Sequence, residues 1–431
     1  MTRGARRALL AVGALVLLVG VAVWRAHAGA DATIERHRRE LAVDLALLAA
    51  VPRTRPALLE PGLPGNAYDV YAPVIAALTA PGAGGGAGFQ FPKPGRYLEV
   101  LDAHRADLTR WDEALRMACE APLPPVLGGP PVPALRSQAT LDVVTLQRNG
   151  VGEWLAAGRS EDALAAALRV IVLGADVRRS LGVHASMGGM SNEARGREML
   201  GIVLRDGMLS ADALARAARV LDALDAHRAS LGDRLLAEAP FARGARIAMA
   251  GGEKPSSSVR DPLRGWRWLW SRRIFYATAL DEGEALRQRT LVAYGRPLSA
   301  WRSTCAEVLA MFENSEHPEL SGWGVGSTEA WTVKMEARER MIGTLHRVAV
   351  AVARFVAERA RAPASLADLV PAYLPSIPIC PASGEPLRWS AAALRLWSIG
   401  GDGKDDGGSP ALGDVDLDVS GDFVLEIRAP R

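Results

Sequence analysis

The alternation of apolar and polar positions divides the chain into a hydrophobic leader, a long helical middle and a tail of short strands. Residues 8–24 form an unbroken apolar run behind Arg3, Arg6 and Arg7. A run of about 17 residues is near the shortest that spans a bilayer. Basic residues ahead of it hold the N-terminus in the cytoplasm and export the rest of the chain, with Trp24 at the far interface. Ala26-His27-Ala28 is also an Ala-x-Ala cleavage pattern, so residues 1–28 have a second reading as a cleaved signal peptide. The length of the run favours an uncleaved anchor. Either way residues 29 onward are extracytoplasmic: membrane-bound by a single pass, or secreted if residues 1–28 are removed.

Beyond the leader, Ile34, Leu41, Leu45 and Leu48 share one helical face. Asp31 is placed to cap that helix, Glu35 to pair with Arg39, and Pro52 to stop it. Breaker-rich stretches at residues 52–65, 81–95 and 122–133 separate helical pieces expected at 68–78 and 97–119. The glycine-rich run at 82–88 has neither a Walker lysine nor a strand-glycine-helix frame, so it reads as a surface loop and not a phosphate cradle.

Residues 138–237 read as antiparallel helical hairpins. Two similar turns, Leu155-Ala-Ala-Gly-Arg-Ser and Arg205-Asp-Gly-Met-Leu-Ser, each end in a serine placed to cap the next helix, Ser160 and Ser210. They resemble tetratricopeptide turns, but their offset is not the roughly 34 residues of that repeat. Met187-Gly-Gly-Met-Ser reads as a loop and lacks the Gly-x-Ser-x-Gly elbow of a nucleophile.

Residues 264–276 interleave arginine with Trp266, Trp268, Trp270, Phe275 and Tyr276. This reads as a helix packing its aromatic rings with arginines snorkelling outward; binding at a membrane interface is the competing reading. Residues 319–362 contain no proline. Within them Met341, Leu345, Val348, Val352 and Phe355 form a narrow apolar seam, ended by Pro363. A short helix capped by Ser365 comes next, then three strands, at 387–390, 394–399 and 423–428. The fold class expected is therefore mostly α: an N-terminal transmembrane helix (residues 1–28), a helical-hairpin middle domain (29–330) and a small α+β unit with a short antiparallel sheet (331–431).

Composition changes little in this picture. A length of 431 residues calls for more than one compact core. The net charge of +3 gives no footprint for nucleic acid. Three cysteines, Cys119, Cys305 and Cys380, form no Cys-x-x-Cys pair; in an exported chain they allow one disulfide and leave one thiol. No His-Glu-x-x-His, Ser-x-x-Lys or nucleophile–base pair occurs, so no catalytic residue is assigned and an enzyme is the less favoured reading.

The tail carries the most local chemistry. Pro363-Ala-Ser-Leu-Ala-Asp-Leu-Val-Pro, Tyr373-Leu-Pro, Cys380-Pro-Ala-Ser-Gly-Glu-Pro-Leu and Leu396-Trp-Ser-Ile-Gly-Gly-Asp-Gly together resemble the globular part of the type II secretion major pseudopilin (the G-type). They resemble still more the C-terminal region of membrane-anchored envelope proteins of planctomycete-type bacteria. The likeness covers residues 335–431. Two departures matter. The leader has no prepilin-peptidase site and no glutamate in its apolar run, so the chain is not expected to polymerise as a pilin. Cys380-Pro381 stands where the family has Asp-Pro.

In that family the Ser-x-Gly-x-Asp-Gly loop binds calcium, which the resemblance carries onto Ser398, Gly400, Asp402 and Gly403, with Gly407, Gly408, Asp414 and Asp416 on its later positions. The residue chemistry agrees. Asp402, Asp405, Asp406, Asp414 and Asp416 offer hard oxygens among turn-permitting glycines. Residues 396–431 hold eight acids against three bases. A solvated loop whose aspartates make only turn hydrogen bonds is the alternative. The function expected is a membrane-anchored extracytoplasmic structural or interaction protein, tethered through residues 8–24, with an envelope protein as partner and a calcium-stabilised tail. An envelope hydrolase with a site between the helical domain and the C-terminal unit is the alternative.

Overall fold

The structure, a computed structural model, describes residues 3–51, 53–80, 91–122, 138–179, 183–228, 230–251, 269–315, 325–399, 403–410 and 421–429. It is mostly helical. The first helix, α1 (Arg3–Ala50), runs unbroken from the leader into the body. Asp31 caps nothing: residues 25–50 contain no proline to end a helix, and the Asp31 carboxylate instead pairs with Arg273 at 3.1 Å.

A small sheet adjoins it, in the order β1 (Thr54–Arg55), β3 (Met117–Glu120), β2 (Leu63–Asn66), with β1 antiparallel and β2 parallel to β3. Between its strands lie α2 (Ala67–Leu78), α3 (Tyr97–Ala103) and α4 (Arg105–Ala114). The helical piece expected over 97–119 therefore ends early, and Cys119 lies in a strand. Asn66 organises the corner. Its Oδ1 accepts from Tyr68 N at 3.1 Å, capping α2, and from Glu120 N at 2.9 Å.

The hairpin region becomes α5 (Gln138–Ala156), α6 (Ser160–Arg179), α7 (Val183–Asp206) and α8 (Ala211–Ala226). Ser210 caps α8, accepting from Ala213 N at 3.2 Å. Ser160 does something else: its hydroxyl accepts from Met208 N, while Ser210 Oγ donates to Glu161. The two similar turns thus clasp each other at one end of the bundle. The Met187-Gly-Gly-Met-Ser segment is helical, inside α7. Gly189 is there for contact and not for bending, because α6 crosses at backbone distance: a Cβ on Gly189 would meet Gly174 O at 2.6 Å.

Helices α9 (Leu231–Ala250) and α10 (Leu269–Tyr294) pack on the lower half of α1. They share a separate apolar cluster around Ala30, Ile34, Met249, Tyr276 and Leu280. Arg243 stitches the three together, reaching Glu40 at 2.7 Å, Asp44 at 3.2 Å and Glu284 at 2.5 Å. Above this unit α1 is bare: the apolar side chains from Val12 to Trp24 touch little and face outward.

After α11 (Trp301–Glu313) comes α12 (Val325–Arg359). Its seam, Met341, Leu345, Val348, Val352 and Phe355, is buried throughout. The sheet β4 (Arg388–Ser390), β5 (Arg395–Ser398), β6 (Phe423–Glu426) is antiparallel with β5 central, pairing Trp389 with Leu396 and Leu396 with Leu425. It packs on α12, and β6 also on α7. One apolar core runs from Leu58 to Ile427, so α12 serves the tail sheet on one side and the hairpins on the other. Ser365 makes no capping hydrogen bond; Asp368 instead accepts from Ala364 N at 2.7 Å, ordering a 3₁₀ turn over Leu366–Leu369.

Candidate functional site

A cluster of buried carboxylates and guanidiniums, with a histidine beside it, lies where α7 meets α12. On α7, Glu193, Arg197 and Gly201 keep a four-residue spacing along one face; on α12, Glu339, Gly343 and His346 face them. The glycines make the room: a Cβ on Gly343 would stand 3.2 Å from the Arg197 guanidinium, and one on Gly201 3.6 Å from His346 Nε2. Arg178 of α6 and Arg228, beyond α8, complete the group.

Glu193 is the hub. Its Oε2 accepts from Arg178 at 2.6 Å; its Oε1 accepts from Arg197 at 2.8 Å and Arg228 at 2.6 Å. Arg178 also donates to Glu336 at 2.6 Å, whose other oxygen accepts from Arg340 at 2.8 Å. Arg338 binds Glu339. Burial alone would raise both Glu193 and Glu336. Arg228 and Arg178, helped by Arg197, hold Glu193 well below the usual carboxylate range, and Arg178, Arg228 and Arg340 also lower Glu336. Glu339 goes the other way, raised by burial and by the charge of Glu193.

A raised carboxyl beside a lowered one is the arrangement that general acid–base chemistry uses. Here nearly every carboxylate oxygen is held by a guanidinium, and the carboxylates are almost wholly buried. Such a network fixes the mutual register of α6, α7 and α12. His346 belongs to the same stripe. It is buried, its Nδ1 sits 2.8 Å from Ile342 O, and burial together with Arg197 lowers its pKa to about 4.

That shift makes acid stability a test. Above the ordinary histidine pKa of about 6.5 both folded and unfolded chains hold His346 neutral, and its contribution is fully present. As the pH falls toward 4, the unfolded chain takes up a proton that the folded one excludes. Stability should decline across that window by up to roughly 3 kcal/mol. Urea unfolding at pH 7 and pH 4.5 should show a smaller difference in His346→Leu than in the parent chain. An unchanged difference would mean that His346 is not kept neutral by the fold.

The tail turn bears on the expected calcium ligands. Asp402, Asp414 and Asp416 lie outside the described residues; Asp405 and Asp406 are described. Asp405 is engaged by the protein: its Oδ1 accepts from Trp397 Nε1 and Gly407 N, both at 3.1 Å, and its Oδ2 from Arg388 at 3.2 Å. The Trp397 and Gly407 hydrogen bonds, then Arg388, lower its pKa. Asp406 is exposed, and its carbonyl accepts from Ser409 N. Ser398, which the family likeness would put beside the ion, is buried and donates to Cys380 Sγ at 2.8 Å. Among the described residues no group of three metal-binding side chains gathers.

Positive φ at Gly403 (77°), Gly407 (67°) and Gly408 (78°) permits the turn. Gly408 is doubly constrained, since a Cβ there would stand 3.3 Å from the Trp397 ring. Gly408 N donates to Asp422 at 2.8 Å, tying the turn to the start of β6.

Two other expectations are revised or set aside. All three cysteines are free thiols, Cys119 and Cys380 buried, so the allowed disulfide does not form. Trp266 and Trp268 lie outside the described residues, but Tyr276 is fully buried, as core packing requires. At the junction of tail and hairpins, a hollow of about 560 Å³ is lined by Arg205, Asp206, Leu394, Glu426 and Arg428. Its ionic groups are already matched: Arg205 binds Asp206, and Arg428 binds the Asp206 carbonyl.

Sequence reasoning missed the α7–α12 cluster. Its only local signals are the i, i+4 pairs Glu193/Arg197 and Glu336/Arg340, which read as ordinary surface pairs. No family model matches the chain, and neither does any curated protein or solved structure.

Proposed function

We propose that this chain is a membrane-anchored extracytoplasmic interaction protein, with α1 crossing the bilayer and the helical body held at its outer face. The observation that carries the reading is α1 itself. Its apolar upper part is bare, and its lower half is clamped into the α1–α9–α10 unit by Arg243. An apolar surface that large is costly in water and favourable in lipid. The basic residues ahead of it orient the body outward. The length of the apolar run favours the uncleaved anchor over the signal peptide that the Ala-x-Ala pattern at residues 26–28 would end.

The body serves as a rigid presenting surface for an envelope protein, its register set by buried ionic networks. The tail resembles a pseudopilin head without the polymerising stem, and its turn is stabilised by calcium through Asp402 and its neighbours. Intact mass of the protein recovered from washed membranes tests the anchor: the full chain is expected, and loss of residues 1–28 with release to the soluble fraction would refute it. For the tail, millimolar calcium is expected to raise the melting temperature of the full-length protein, and Asp402→Ala to abolish that rise. Identical melting in calcium and in chelator would remove the ion from the proposal.

A further inference from the structure

Ion pairs fix how α10 runs along α1. Arg273 lies 3.1 Å from Asp31, and Asp281 2.8 Å from His37. Arg243 then joins Glu40 to Glu284. The partners advance together in both helices, so α10 is parallel to α1 at a nearly constant offset. α9 runs the opposite way and brings Met249 and Ala250 back to the cluster around Ala30 and Ile34. Arg272 Nε closes that end by donating to Met249 O at 2.7 Å.

This register sets a height above the membrane. Asp31 lies seven residues after Trp24, roughly 10 Å of helix at about 1.5 Å per residue. Leu269 precedes Arg273 by four, so it lies about 6 Å nearer the apolar run than that ion pair does. Leu269, the first described residue of α10, thus stands about 4 Å beyond the end of the run, within a headgroup layer about 5–7 Å thick.

The charge pattern fits that position. On α1 no acid precedes Asp31, and residues 269–280 of α10 hold none. Asp31 is already matched by Arg273. At the same level α1 exposes Trp24 and Arg25, and α10 places Arg272 over the Tyr276 ring at 5.9 Å. Basic and aromatic side chains without acids are what the interface of a phospholipid bilayer accepts.

We propose that residues 269–273 of α10, together with Trp24 and Arg25, form a second contact with the bilayer: a phosphate-binding collar around the point where α1 emerges. The collar rests on the anchor reading above. It converts a single-helix tether into a broad foot and fixes the tilt of the body.

Full-length protein reconstituted in phosphatidylglycerol–phosphatidylethanolamine vesicles, with a trace of lipid bearing a photoactivated diazirine in its headgroup, tests this directly. Peptide mapping should find adducts on residues 269–273 at a yield within about threefold of those around Trp24 and Arg25, as two segments at one interfacial depth require. Adducts on α1 alone would overturn the collar and leave the anchor standing. No adduct on α1 would overturn the anchor reading, and the collar with it.

Discussion

Replacing Asp176 by Asn is expected to destabilise the folded protein by about 3–5 kcal/mol, the usual cost of breaking a buried ion pair from one side. Asp176 lies on α6, fully buried. It receives Arg55 of β1 in a two-pronged contact, Nε and Nη2 each at 2.6 Å. Tyr71 of α2 donates to the same carboxylate at 2.5 Å. Arg55 also donates to Met117 O of β3 at 2.9 Å. One carboxylate therefore joins the first sheet, α2 and the hairpins. Burial alone would lower the Arg55 guanidinium, yet Asp176 holds it raised; burial and the Asp176 charge push the Tyr71 hydroxyl well up.

Asparagine keeps the shape but leaves a buried cation without its counter-charge. Chemical denaturation of the detergent-solubilised protein should show the loss. The combined change Arg55→Met, Asp176→Leu, Tyr71→Phe and Arg179→Met should recover part of it, because Arg179, 3.8 Å from Asp176, would otherwise remain a second buried cation, and apolar groups of similar volume carry no desolvation penalty. If Asp176→Asn alone were as stable as the parent chain, the pair would not be buried as described.

Gly174→Ala is the second large effect. A Cβ at Gly174 would stand 2.4 Å from Glu193 N, 2.6 Å from Gly189 O and 2.9 Å from Glu193 Cα. All three are backbone atoms of α7, so no side chain can swing aside. The helices must separate, at a cost of about 3 kcal/mol or more, the upper end for overpacking. Separation would also pull Arg178 from Glu193 and loosen the ionic hub.

Gly188→Ala supplies the control. It is one residue from Gly189 in the same helix, yet a Cβ there meets nothing within 4 Å. That substitution should leave stability unchanged or raise it by about 0.5–1 kcal/mol, the helical preference for Ala over Gly. Thermal unfolding of the two variants side by side distinguishes a helix–helix contact from simple helix propensity. Equal effects would argue against the close crossing.

The contrast between these two sites and the regular elements explains what a sequence can disclose. Periodicity exposes whatever repeats along one element. The span of α1, the hairpins, the seam of α12 and the tail strands all repeat, and all are legible. β1 and β3 are not: two residues are too few to alternate, and β3 follows α4 so closely that the two read as one helical stretch. The segment at Met187 reads as a loop and folds as helix, since paired glycines signal a break, whereas here Gly189 answers to the close approach of α6. Asp405 is legible as a turn residue. Its engagement by Trp397 and Arg388 depends on β4 and β5 lying side by side, which no local pattern encodes.

By itself the sequence determined that the leader, the hairpins and α12 are helical, where the longest apolar surface lies and which loop is acidic, because each depends on the order of neighbouring residues. Only the tertiary structure decided that Asp176 and Glu193 are buried hubs, that α12 has two buried faces, and that α10 runs parallel to α1 in the register set by Arg273–Asp31 and Asp281–His37. Those facts depend on which faces meet across more than a hundred residues of chain. There the free energy of a charge is set by what surrounds it in space, and not by what adjoins it in sequence.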